Sequence, residues 1–131
     1  VLSGLKVLVV DDEPDARELL RHVLMAAQAD VQTAASADEG LAALMSYRPD
    51  VVVSDIGMPI RDGYHLMRAI RSRTPEEGGR TPAIALTAFA RSEDRTRALM
   101  AGYQVHMAKP IEPNELVVTI GSLTGRTGPE L

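Results

Sequence analysis

Apolar residues fall along this chain in two alternating rhythms. Leu5-Lys6-Val7-Leu8-Val9-Val10 is short, nearly continuous, and stops at Asp11-Asp12. That is the habit of a strand buried on both faces of a parallel sheet. Ala16, Leu19, Leu20, Val23, Leu24 and Ala27 then recur at helical spacing, the stripe of an amphipathic helix. Residues 30–34 read as a weaker second strand. Ser36 with Glu39 three residues on has the capping-box spacing, and Leu41, Leu44 and Met45 follow on one face. Pro49 interrupts, and Val51-Val52-Val53 makes a third strand ending at Asp55.

The alternation continues to the end of the chain. Asp62-Gly63 is a turn signal, and 64–72 reads as a helix. Residues 74–80 form a polar loop with breakers at both ends. A fourth strand, 83–86, ends at Thr87. The segment 91–101 reads as a helix closed by Gly102. A fifth strand over 103–107 ends near Lys109-Pro110, and Pro113 opens a last helix with Leu116, Val117 and Ile120 inward. Five strands alternating with five helices predict an α/β fold around a parallel sheet. The fourth helix is the least apolar. Its inward candidates are chiefly Ala98, Leu99 and Ala101, which makes it the expected moving part.

Composition narrows the picture. A chain of 131 residues, 45% hydrophobic and 24% charged, suits one globular domain. Aromatics are only 3%, so the core must be aliphatic. A formal net charge of -4 argues against a nucleic-acid surface. The absence of Cys excludes disulfides and thiolate zinc sites and suits a cytoplasmic setting. No apolar run approaches the roughly 20 residues of a membrane span. The chain begins at Val1 rather than Met, so a piece excised from a longer protein is expected.

The chemistry-bearing residues share one location. Asp11 and Asp12 follow strand one, Asp55 ends strand three, Thr87 ends strand four and Lys109 follows strand five. In a parallel sheet these carboxyl ends lie on one edge, where open α/β sheets bind ligands. Carboxylates crowded there repel. At about 5 Å and an effective dielectric near 20, each pair costs roughly 3 kcal/mol. A divalent cation removes that penalty, and an all-oxygen donor set points to Mg2+. With Lys109 and Thr87 added, the set could neutralise a phosphoryl group during in-line transfer to a carboxylate. His22 and His65 have no partner at metal-ligand spacing and read as ordinary helix residues.

Four segments resemble the bacterial response-regulator receiver family. They are Val9-Val10-Asp11-Asp12-Glu13-Pro14, Asp55-Ile56-Gly57-Met58-Pro59 with Asp62-Gly63, Leu86-Thr87-Ala88, and Lys109-Pro110. The resemblance implies a doubly wound, flavodoxin-like (βα)5 sheet of order 2-1-3-4-5. It implies a receiver domain over 1–124 and a flexible tail over 125–131. It makes Asp55 the phosphoacceptor. Asp12, Asp55 and the Gly57 carbonyl would hold Mg2+, with Asp11 helping through water. Lys109 would contact the phosphoryl group, and its bond to Pro110 would be cis. Thr87 would be the switch hydroxyl. His106 stands where relatives carry a switch aromatic, and Gly57 stands where relatives often carry a side chain that affects hydrolysis. The phosphodonor would be a histidine kinase or a histidine phosphotransfer domain, and the output face could mediate a homodimer. No direct contact with nucleic acid or membrane is implied. The segment 100–110 looks most like receivers fused to hybrid histidine kinases. Such a domain is an enzyme only in catalysing its own phosphorylation and dephosphorylation.

Two other readings compete. A haloacid-dehalogenase-like phosphatase needs a second Asp two positions after the first, where this chain has Gly57. A receiver-like scaffold that is never phosphorylated usually lacks an acid or the Lys, and here none is missing.

Overall fold

Strands and helices alternate strictly in the computed structural model, which describes residues 2–88 and 91–125. The order is β1 (Lys6–Val10), α1 (Pro14–Ala26), β2 (Asp30–Ala34), α2 (Ala37–Tyr47), β3 (Val51–Asp55), α3 (Gly63–Arg71), β4 (Ala83–Thr87), α4 (Ser92–Ala101), β5 (Val105–Ala108) and α5 (Pro113–Leu123). All five strands are parallel, in the order β2-β1-β3-β4-β5. The expected fold is the observed one. Of the expected tail, all but residue 125 lies outside the described residues.

Period-two alternation along the strands divides the core in two. Leu8, Val10, Val52, Ala83 and Ala85 face a layer containing Leu44 of α2, Leu66, Met67 and Ile70 of α3, and Ala98 of α4. Val7, Val9, Val51, Val53, Ile84 and Leu86 face the opposite layer, with Leu20 and Leu24 of α1 and Leu116 and Ile120 of α5. Burying each such large side chain contributes roughly 1.5–3 kcal/mol. β2 is an edge strand and only Ala34 of it is buried, which is why its sequence signal was weak.

Local chemistry sets the element ends. The Ser36 hydroxyl accepts from Glu39 N, one of the four N–H groups at the α2 start that lack an intrahelical partner, and Glu39 Oε1 accepts from Ala35 N just before the cap. The polar loop holds one short 3-10 turn, Pro75–Glu77, closed by a Thr74/Glu77 capping box. β5 starts two residues later than expected. Tyr103 N bonds back to Ala98 O, closing α4, and Gln104 spends its side-chain oxygen on Ala83 N. Arg71 ties this corner together. Its guanidinium donates to the carbonyls of Gly79, Thr81 and Gly102, and Gly102 sits at φ 120°, where a Cβ would collide with Arg71 itself.

Two expectations about helix faces need correction. Leu19 is 64% exposed, and only Leu20 and Leu24 of the α1 stripe are fully covered. Leu99 of α4 is 42% exposed and only Ala98 is buried there.

Candidate functional site at the carboxyl edge of the sheet

Strand register delivers the site residues. Val10 pairs with both Ala34 and Ser54, so Asp11 and Asp55 emerge side by side from adjacent central strands. Asp11 N is held by Ala34 O, Ile56 N by Leu86 O, and Lys109 N by Thr87 O at 2.7 Å. The ladder therefore fixes four loop starts on one edge. The Lys109–Pro110 bond is cis.

One ligand atom each from Asp11, Asp12 and Asp55 lies within 4.8 Å of the others. Asp11 is fully buried, Asp55 is 7% exposed and Thr87 6%. Lys109 Nζ stands 3.3 Å from Asp55 Oδ1 and 3.6 Å from Asp11 Oδ2. Burial alone would lower the ammonium's pKa, but the carboxylates of Asp11 and Asp55 outweigh it and hold it above the ordinary lysine value. The Asp11 carboxyl is pushed up by burial, against the Glu13 N–H that donates to its Oδ1.

Asp55, Gly57, Thr87 and Lys109 line one cavity of about 410 Å³ together with Tyr64, Arg91, Asp94 and Arg97. Asp11 and Asp12 adjoin it through the carboxylate cluster with Asp55. A Cβ built on Gly57, which lines this cavity, would meet nothing within 4 Å. His106 lies apart from this cavity. Its Nε2 is buried without a hydrogen-bond partner, and burial lowers its pKa, with Asp94 opposing and Arg95 of α4 adding to the shift.

Several supports were not visible in the sequence. Arg17 donates to Asp11 O and Tyr103 donates to Gly63 O, behind the phosphoacceptor candidate. Gly63 is required there: a Cβ would stand 2.6 Å from Asp55 O and 2.9 Å from the Tyr103 hydroxyl. Of these only Asp62-Gly63 left a signal, as a turn. The Tyr103 bond spans 40 residues and has no local signature.

A parallel sheet with an acidic, lysine-bearing pocket at its β1/β3 switch point defines a class of phosphoryl-accepting signalling domains. The comparisons agree. The family model described as response regulator receiver domain matches residues 7–121, and the chain belongs to that family, as a phospho-accepting domain of two-component signalling. It is 44% identical over 116 residues to an uncharacterised 14.6 kDa protein of Leptolyngbya boryana, covering 88% of this chain and 87% of that one. It is 36% identical to the probable transcriptional regulatory protein TcrX of Mycobacterium tuberculosis, over 93% of this chain but only 50% of the regulator's length. Among solved structures, the receiver domain of sensor histidine kinase PA1611 from Pseudomonas aeruginosa superposes with a TM-score of 0.85 at 32% identity. The match covers 94% of this chain and 99% of that domain, which carries a magnesium ion in its active-site cleft. No helix among the described residues is long and apolar enough to cross a membrane.

Proposed function

We propose that Asp55 is the phosphoacceptor and that its phosphoryl donor is a phosphohistidine of a histidine kinase or a histidine phosphotransfer domain. The observation that carries this is the ammonium of Lys109 at 3.3 Å from Asp55, beside a cluster whose Asp12 Oδ1 is buried without a hydrogen-bond partner and whose Asp11 Oδ2 has Lys109 Nζ at 3.6 Å but no hydrogen bond. Orphaned carboxylate oxygens are costly unless a cation completes them. The donor set therefore fits Mg2+, held by Asp12, Asp55 and the Gly57 carbonyl, with Asp11 acting through water. When bound, the ion supplies charge neutralisation for the phosphoryl oxygens. Asp55 presents a carboxylate oxygen for in-line attack, Lys109 pairs with a phosphoryl oxygen, and the Thr87 hydroxyl donates to another. Thr87 and His106 then act as the switch pair, and the receiver unit extends over 1–124.

A groove supports the choice of a protein donor. Leu19, Leu20 and Val23 of α1 face Ile111, Pro113 and Leu116 across a cleft of about 210 Å³ that reaches Asp11 and Lys109. An apolar helix of the donor laid there would bring its phosphohistidine to the site. Leu99, Met100 and Val118 are exposed on α4 and α5, and this output face is the proposed homodimer surface.

The test is direct. Acetyl phosphate or a phosphorylated kinase should label the chain, and Asp55→Asn or chelation should each abolish the label. A label of undiminished size on the Asn variant, at another residue, overturns the assignment.

A further inference from the structure

Arg97 stands in a distinctive place. Its guanidinium carbon lies 4.0 Å above the centroid of the Tyr64 ring, and both residues line the cavity that holds Asp55 and Lys109. Tyr64 is 5% exposed and belongs to the core, so it is a fixed platform projecting from α3, while Arg97 is an exposed residue of α4. The stack bridges the two helices across the mouth. Cation–π contact restrains an arginine that would otherwise sweep through solvent.

The charges around the mouth are unequal. Arg91 Nε pairs with Asp94 Oδ2 at 3.1 Å, so these two cancel. Arg97 makes no ion pair with another described residue, leaving one positive charge on the rim in excess. Burial orders the cavity from floor to mouth: Asp55 and Thr87 are buried, and Arg91 and Arg97 are exposed. In-line displacement at phosphorus requires the leaving group to depart opposite the attacking oxygen. With Asp55 on the floor, that direction is the mouth.

We propose that Arg97, held on Tyr64, is a donor-selecting residue that stabilises the departing carboxylate of small acyl phosphates. The inference rests on Asp55 being the acceptor. The step balances without a proton. An Asp55 oxygen forms a bond to phosphorus, and the P–O bond to the acyl oxygen breaks. The electron pair leaves on the carboxylate, and three negative charges stand on each side of the reaction. A guanidinium fork matches a carboxylate in two hydrogen bonds and meets the charge as it develops. A donor whose leaving group departs neutral gains nothing from that contact.

Acetyl phosphate and phosphoramidate separate these cases, because phosphoramidate releases ammonia. Phosphorylated fraction is followed with time by intact-protein mass, in millimolar Mg2+, for the full chain and for Arg97→Gln, Arg97→Lys and Tyr64→Leu. The expected result is about a fivefold slower reaction of Arg97→Gln with acetyl phosphate, the size of a partly solvated charge-assisted contact. Its phosphoramidate rate stays within about twofold of the parent by the same reasoning. Arg97→Lys should recover part of the loss, and Tyr64→Leu should reproduce the split by releasing the arginine. Equal slowing with both donors, or none with either, overturns the proposal. No labelling of the parent chain by either donor would instead overturn the assignment of Asp55, and this proposal with it.

Discussion

Lys109 Nζ lies 3.3 Å from Asp55 Oδ1, so the carboxylate proposed to receive the phosphoryl group already carries a cation as its partner. That ammonium is also 3.6 Å from Asp11, and it competes for the same charge that a metal ion would neutralise. Lys109→Ala should therefore bind Mg2+ more tightly than the parent while losing most phosphoryl transfer. The metal-free variant should melt lower, because two buried carboxylates lose their counter-charge. Thermal melts over a Mg2+ titration check both. At a tenfold excess over Kd, the ion should add about 1.4 kcal/mol to either protein. If millimolar Mg2+ leaves the parent melting temperature unchanged, the cluster is not a metal site.

Asp12→Ala provides the complementary case. It removes one proposed ligand and one repelling charge, so the Mg2+-dependent gain should vanish and the metal-free chain should melt no lower than the parent. Unfolding curves with and without chelator measure this. A variant that keeps the full Mg2+ response would remove Asp12 from the ligand set.

The exposed edge of α1 predicts a split between donors. Leu19 is 64% exposed on the rim of the α1/α5 groove, so Leu19→Lys should fold normally. It should slow transfer from a phosphorylated histidine domain about tenfold or more, the size of a lost apolar anchor. The acetyl phosphate rate should be unchanged. Equal transfer from both proteins would place the donor elsewhere.

Gly57 predicts a change in lifetime. Nothing lies within 4 Å of a Cβ added there, so Gly57→Asn has room to fold and sets a polar side chain on the lining of the cavity that holds Asp55. If water reaches the phosphoryl group through that cavity, a side chain there should slow dephosphorylation. Decay of the phosphorylated fraction after donor removal measures it. Decay as fast as the parent's would show that water arrives by another route.

His106 supplies a pH signature. Burial holds its pKa below the ordinary value, with Asp94 opposing and Arg95 reinforcing. In the unfolded chain it titrates near about 6.5. Between the two values the unfolded state binds more protons, so this contribution is complete above about pH 6.5 and is lost as pH falls toward the folded pKa. His106→Gln should flatten that part of the stability profile, read from urea midpoints. Ring NMR shifts with and without beryllofluoride test its switch role: unmoved ring signals beside shifted Thr87 signals would exclude it.

Most of the site could be read from the sequence because parallel strands impose it. Once Val7–Val10, Val51–Val53, 83–86 and 103–107 are strands of one sheet, Asp11, Asp55, Thr87 and Lys109 must share an edge. Side-chain direction on the helices was less legible. Leu19 and Leu99 sit at apolar-stripe positions yet stay exposed, and helical periodicity alone does not distinguish them from their buried neighbours Leu20 and Ala98. Arg97 over Tyr64, and Tyr103 against Gly63, join residues 33 and 40 positions apart through helix packing, which no local pattern encodes.

Arg71 gives α4 a fixed end. Its guanidinium grips the Gly102 carbonyl at the helix's C-terminal side and anchors it to Gly79 and Thr81, while the other end begins at Ser92 beside the cavity. A helix tethered at one end behaves as a lever. A push delivered near Thr87 would then turn α4 about Gly102, and the displacement would grow toward its N-terminal end. Arg71 makes no hydrogen bond to a site residue, yet it would set the pivot of such a turn.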